Sequence, residues 1–141
     1  MANEKKVLTI KNNILEKCTN SKFSVDIEIP DGVIDIASEA FAGRCASGLV
    51  SLLRVVVPDS VKAIRHSAFE YCRNLQKVTL PKELEILEAY VFNNCRALEE
   101  IVIPEGISTI EYSTFNFCLK LKKITLPKSL KVIQEGAFSE C

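Results

Sequence analysis

Val78-Thr79-Leu80-Pro81-Lys82-Glu83-Leu84-Glu85-Ile86-Leu87-Glu88-Ala89-Tyr90-Val91-Phe92-Asn93-Asn94-Cys95 holds one full unit of a pattern that returns along the chain. Prolines stand at 58, 81, 104 and 127 and cysteines at 72, 95, 118 and 141, so both residue types mark a period of 23. Self-similarity at a fixed period of this length is the signature of stacked repeats. An earlier proline, Pro30, opens a first unit whose cysteine, Cys45, falls one residue late.

Working outward from that stretch, the apolar slots fall into line. Three residues after each proline stand Val33, Val61, Leu84, Ile107 and Leu130; six after it, Ile36, Ile64, Leu87, Ile110 and Ile133. Eleven after it, every unit has phenylalanine: Phe41, Phe69, Phe92, Phe115 and Phe138. Ala40, Ala68, Val91, Thr114 and Ala137 precede these phenylalanines. Before the later prolines, Val55, Val78, Ile101 and Ile124 alternate with polar or β-branched residues, the period of two expected of a half-buried strand. One unit therefore reads as a strand closed by proline, a turn, a second short extended piece, and a helical turn carrying Ala-Phe and ending near Cys. Proline suits the strand end, because it has no amide to donate to a ladder. A single unit cannot bury its line of Leu, Val, Ile and Phe. Stacking can, at about 2 kcal/mol for each large side chain withdrawn from water.

The 141 residues are expected to form one domain, with residues 1–22 as a diverged N-terminal cap and 23–141 as about five repeats. In the cap, Val7, Leu8 and Ile10 suggest a short strand, Lys11 takes the proline slot and Ile14 the apolar slot three further on. Cys18 is out of register with the later cysteines. Extra residues near 42–51, including Gly48 and two serines, read as a loop bulging from the stack.

Eighteen basic residues balance eighteen acidic ones, so no overall field draws in nucleic acid. The longest apolar run, Leu49 to Val57, is broken by Ser51 and Arg54 and is far short of the roughly 20 residues that span a membrane. Membrane insertion is not expected. The start, Met-Ala-Asn-Glu-Lys-Lys followed by Val7-Leu8-Thr9-Ile10, is too short for the apolar centre of an export signal. As it stands the chain reads as cytoplasmic, or as a secreted protein whose leader has been removed.

No residue set announces chemistry. Equivalent cysteines in a stack lie about 5 Å apart, close enough for disulfides, but their side chains run parallel. Their slot beside phenylalanine reads as a row of small buried hydrophobes, with disulfides as the alternative. Cys18 and Cys141, near the ends, are expected to be the reactive ones. A single file of thiols cannot surround a tetrahedral zinc ion. His66, the only histidine, occupies a variable slot shared with Ser38, Ala89, Tyr112 and Glu135 and reads as a surface residue. Five glycines form no phosphate-cradling loop. No catalytic residue, cofactor or metal ligand is assigned, and the chain is not expected to be an enzyme.

The run Leu-x-x-Ile-x-Leu-Pro-x-x-Leu-x-x-Ile-x-x-x-Ala-Phe-x-x-Cys, nearly whole in Leu98 to Cys118 and Leu121 to Cys141, resembles the BspA-type leucine-rich repeat, also known from a Treponema surface antigen. The resemblance covers roughly residues 23–141. It implies an α/β solenoid, a short right-handed arc with a parallel β-sheet on the concave face and short second strands and helical turns on the convex side. It also implies a cell-surface or secreted protein that binds other proteins.

On that arc the outward strand slots become candidate partner-binding residues. Arg54, Lys77, Glu100 and Lys123 form one column with Asp26, and Val56, Thr79, Val102 and Thr125 form a second with Glu28. The columns mix charge with exposed valine, as a protein-binding surface does. Strand propensity alone also accounts for Val and Thr there. Off-pattern aromatics, Tyr71, Tyr90, Tyr112 and Phe117, are a further candidate set. At the end of the chain Val132, Ile133 and Phe138 are covered from one side only, which suggests homo-oligomers formed through the C-terminal stack end, or a longer array.

Overall fold

The computed structural model describes residues 8–18, 25–42 and 52–141. Twelve short strands are present among them: β1 (Leu8–Lys11), β2 (Ile14–Cys18), β3 (Val25–Glu28), β4 (Asp35–Ile36), β5 (Leu52–Val56), β6 (Ala63–Ile64), β7 (Lys77–Thr79), β8 (Ile86–Leu87), β9 (Glu100–Val102), β10 (Thr109–Ile110), β11 (Lys123–Thr125) and β12 (Val132–Ile133). Each 23-residue unit contributes one longer strand before its proline and one two-residue strand after it. Five successive coils are β3–β4, β5–β6, β7–β8, β9–β10 and β11–β12.

The longer strands form a sheet in the order β11-β9-β7-β5-β3, parallel throughout. The short strands form a second parallel sheet, β2-β4-β6-β8, closed on its outer edge by antiparallel β1, and a separate pair, β10-β12. Sheets that repeat one side-chain pattern coil after coil put like residues in rows. Val55 pairs with Val78 across β5–β7, and Ile101 with Ile124 across β9–β11.

Phenylalanine makes the deepest row. The Phe41, Phe69, Phe92, Phe115 and Phe138 rings stack in sequence with centroids 4.5, 5.5, 5.5 and 5.3 Å apart and planes within 15° of parallel. The first four are fully buried.

The expected helical turns are a correction: no helix is present among the described residues, and the architecture is a β-solenoid. Where Ala-Phe was expected to sit on a helical turn, amides alternate between two kinds of acceptor. Ser67, Phe69 and Tyr71 donate to Ala89, Val91 and Asn93 of the next coil, whereas Ala68, Glu70 and Cys72 donate three residues back within their own coil. A helix would direct every amide back along its own chain. Here half of them serve a third inter-coil ladder that runs beside the phenylalanine row. The alternation needs left-handed backbone nine and thirteen residues after proline: Ser67 and Tyr71, Tyr90 and Asn94, Ser113 and Phe117 all have φ between 51° and 61°.

At the N-terminus the register also differs from expectation. Ile14, expected in the slot of Val33, pairs instead with Asp35, and Leu15 lies beside Ile36 and is fully buried. Cys18 donates its amide to Ala40 O at 2.7 Å, as Phe41 does to Ala68 O, and so fills the place of a phenylalanine at the end of that row. It is buried, against the expectation that its terminal position would leave it reactive. The inserted loop near 42–51 falls largely outside the described residues, as does Cys45.

An ion triad ties three coils together beside the short strands. Arg65 makes a two-pronged contact with Asp35, Nη2 to Oδ2 at 2.6 Å and Nε to Oδ2 at 2.9 Å, while its Nη1 reaches Glu88 Oε1 at 3.1 Å. These carboxylates, Asp35 first, hold the guanidinium still more firmly protonated than usual. Glu88 uses its other oxygen to accept the His66 amide at 2.7 Å. Arg65→Ala should cost about 1–2 kcal/mol in denaturant unfolding, the low part of the range for charged hydrogen bonds, because the site is partly exposed and screened. A change below about 0.3 kcal/mol would show the triad to be ornamental.

Candidate partner-binding face

Next to the prolines, the strands of the longer sheet alternate inward and outward residues. In β7, Val78 points into the core while Lys77 and Thr79 face out; in β9, Ile101 is buried between exposed Glu100 and Val102. The sequence-predicted columns therefore exist as geometry. Register places Arg54 beside Lys77, Lys77 beside Glu100 and Glu100 beside Lys123, with Val56 beside Thr79 and Val102 beside Thr125. All eight side chains are exposed, and Val102, at 62%, is the most exposed large apolar residue among those described. Within the charged column, Arg54 pairs with Asp26 and Lys77 with Glu100, both at 3.6 Å. Lys123 makes no ion pair among the described residues.

The stack is not uniform. Ile29, Val57 and Ile103, each just before its proline, donate amides to the next coil at 2.9–3.0 Å, but the corresponding amide of Leu80 finds no acceptor among the described residues. The same seam, between the third and fourth coils, leaves β8 and β10 unpaired with each other. Ser108 and Glu111, whose counterparts Lys131 and Gln134 donate across the next seam, donate to nothing described. Beyond it the coils close again, Tyr90 to Tyr112 and Phe92 to Thr114.

Side chains at the proline corner explain the break. Ser129 Oγ accepts the Gly106 amide at 3.1 Å and donates to Ile107 O at 2.9 Å, while Glu105 accepts the Lys128 and Ser129 amides. Ser60 bridges Gly32 and Val33 in the same way, and Asp59 accepts the Lys82 amide at 3.2 Å. At the third-to-fourth seam, Lys82 occupies the acceptor slot of Asp59 and Glu105, and an ammonium cannot accept. Gly106 occupies the serine slot and has no hydroxyl. Two hollows follow the seam: one of about 540 Å³ on the longer-strand face, bordered by Lys77, Leu80, Lys82, Val102 and Lys123, and one of about 460 Å³ on the short-strand side, bordered by His66, Leu87, Glu88 and Ser108. Strand periodicity does not reveal the seam, although the residues missing from the corner are visible in the sequence.

The other candidates sort as follows. His66 is exposed, its ring tilted against Tyr90 with centroids 5.3 Å apart, whereas Cys72 is buried. Tyr71, Tyr112 and Phe117 are exposed on the turns, and Arg73 lies over the Tyr71 ring. Val132 and Ile133 are 44% and 52% exposed where Ile110, one coil earlier, is fully buried; Phe138 is half-buried against Phe115. Cysteine side chains of the later coils point at the phenylalanine carbonyl one coil earlier in the row: Cys95 to Phe69 O and Cys118 to Phe92 O at 3.3 Å, Cys141 to Phe115 O at 3.0 Å.

Burial pushes the Cys118 thiol up to about 12, and raises Cys141 to a smaller extent. With iodoacetamide at pH 8, Cys141 should be modified ahead of Cys118, and Cys118 at least about a hundredfold more slowly, since only the thiolate attacks. Peptide mass mapping would show this, and equal rates would contradict the buried row.

A parallel β-solenoid with a 23-residue coil, a phenylalanine row and a proline-ended strand is a leucine-rich-repeat architecture. The chain matches the BspA type leucine rich repeat region over residues 9–141, in six copies, and belongs to that family. The family is typically a protein-interaction module and generally non-catalytic. Among solved structures, a leucine-rich repeat protein of T. pallidum is similar at 28% identity and a TM-score of 0.80, over 100% of this chain and 68% of that one. A leucine rich cell surface protein from Faecalibacterium prausnitzii A2-165 shares 22% identity over 99% of this chain and 46% of that one, with a TM-score of 0.62. The pneumococcal vaccine antigen PcpA shares 20% over 89% of this chain and 35% of that one, with a TM-score of 0.66. The chain thus spans about two thirds of the first of these proteins and less than half of the other two. Among curated protein sequences nothing matches.

Proposed function

We propose that this chain is a non-catalytic protein-interaction module that holds a partner protein against the outward, concave face of its longer-strand sheet. The observation that carries the proposal is the pair of exposed columns, Arg54-Lys77-Glu100-Lys123 and Val56-Thr79-Val102-Thr125, on a rigid parallel sheet. Exposed valine between charged residues is the mixture that interfaces use, an apolar centre with a polar rim. Five coils and the N-terminal cap act as one unit in this proposal. A cell-surface setting accords with the similarity to the leucine rich cell surface protein of Faecalibacterium prausnitzii.

A triple variant, Lys77→Glu with Glu100→Lys and Lys123→Glu, tests the proposal. Immobilised beside the unaltered chain, it should retain a partner from surface-protein extracts of the source cell at least about tenfold less well, with unchanged sedimentation. Equal retention would sink the concave face as the binding site. A second reading, assembly through the stack end, is favoured by the exposure of Leu126, Val132 and Ile133. It requires a concentration-dependent mass that Ile133→Glu abolishes and the triple variant leaves alone.

A further inference from the structure

We infer that the open seam between the third and fourth coils is the anchor point of this face, and that its occupant is an extended acidic segment of a partner protein. The inference rests on the protein-binding role proposed above and deepens it. Three observations converge on the hollow of about 540 Å³.

The first is backbone polarity. The Leu80 amide has no acceptor among the described residues, and the Val102 carbonyl, which faces the third coil as the Thr79 carbonyl faces the second, lacks the amide that would meet it. A donor and an acceptor side by side on a sheet surface match the peptide group of an extended chain, which offers one of each. The coils remain joined at Lys77–Glu100 on one side and at Tyr90–Tyr112 on the other. The seam therefore has no room for a whole inserted strand, and the segment lies across it.

The second is charge. Five ionic groups border the hollow, and both carboxylates are already engaged: Glu100 with Lys77, and Glu105 with the Lys128 and Ser129 amides. The cations left are Lys82 and Lys123, exposed and without an ion pair among the described residues. Carboxylates on the incoming segment complement them. The third is Val102, which stands exposed between Thr79 and Thr125 and gives the segment an apolar side chain to cover. Eighteen basic residues balanced by eighteen acidic ones give the chain no net field for a long phosphate backbone, which disfavours nucleic acid.

The test is nuclear magnetic resonance on the ¹⁵N-labelled full chain, with three probes: acetyl-Asp-Val-Asp-Val-Asp-amide, its Lys-Val-Lys-Val-Lys counterpart, and a short DNA duplex. The acidic peptide should move the Leu80 amide downfield, together with those of Val102 and Lys123. It should bind at least about tenfold more tightly than the basic peptide and weaken several-fold as salt rises. Lys82→Glu with Lys123→Glu, both at exposed sites, should remove that preference while the remaining spectrum stays folded. Equal or tighter binding of the basic peptide at the same amides would overturn the acidic occupant yet keep the face as a protein-binding one. Duplex binding there as tight as the acidic peptide's would overturn both. No shift from either peptide would overturn the seam as anchor, and the triple-variant experiment would then decide the role of the face separately.

Discussion

Phe92→Ala should lower the unfolding free energy by about 3–5 kcal/mol, the cost of emptying a fully enclosed aromatic site. Phe92 has no solvent exposure, its ring lies between Phe69 and Phe115 at 5.5 Å on each side, and its amide joins the ladder to Thr114. Removing it loosens two coil-to-coil contacts in the middle of the array, which is where solenoid stability resides. Phe138→Ala, at a half-buried site stacked on one side, should cost about half as much. Chemical denaturation of the two variants gives the comparison. Equal costs, or a Phe92 cost below about 1 kcal/mol, would mean that the row is not what holds the coils together.

The second large effect comes from neighbouring residues on one strand end. Ile103 is 2% exposed and Val102 is 62% exposed, although they are adjacent and both β-branched. Ile103→Lys places an unpaired ammonium in the core and should cost at least about 3–5 kcal/mol, a large fraction of the stability of an ordinary chain. Val102→Lys should stay within about 0.5 kcal/mol of the unaltered chain. Thermal melts of the pair report directly on which face of the sheet is inside. Val102→Lys also bears on function, since a folded protein with a cation over the seam should bind the basic probe even more poorly and leave the acidic one with less apolar contact.

The seam connects stability to binding. Where corners are clasped by Ser60, Asp59, Glu105 and Ser129, backbone groups are consumed by the stack itself. Where Lys82 and Gly106 replace those residues, the Leu80 amide and the Val102 carbonyl make no bond between coils, beside the most exposed valine among the described residues. A clasped corner stabilises the array and has nothing to offer a ligand. An unclasped one sacrifices inter-coil hydrogen bonds and presents polar backbone in a fixed geometry.

Much of this molecule was legible before any coordinates. Periodicity alone identified the coils, because a repeat whose apolar residues recur at one spacing has only stacking as a way to bury them. The parallel columns followed, since strand side chains alternate and like positions in parallel register lie side by side. Phe41 through Phe138 could be expected in a single row for the same reason. The helical turns could not be judged in this way. Ala-Phe sequences suit helix and turn alike, and what excludes the helix is the carbonyl of the next coil, which captures every second amide. Cys18 shows the same limit: nothing local marks it as standing in for phenylalanine, and only its pairing with Ala40 does so.

The sequence by itself determined the coil, its period, its buried rows and the two outward columns, because these depend on which side chains avoid water and on the alternation of a strand. Tertiary structure alone decided where the ladders close and where they part. A hydrogen bond between coils needs a donor and an acceptor at the same height in different repeats, and that coincidence belongs to the pair of coils rather than to either repeat.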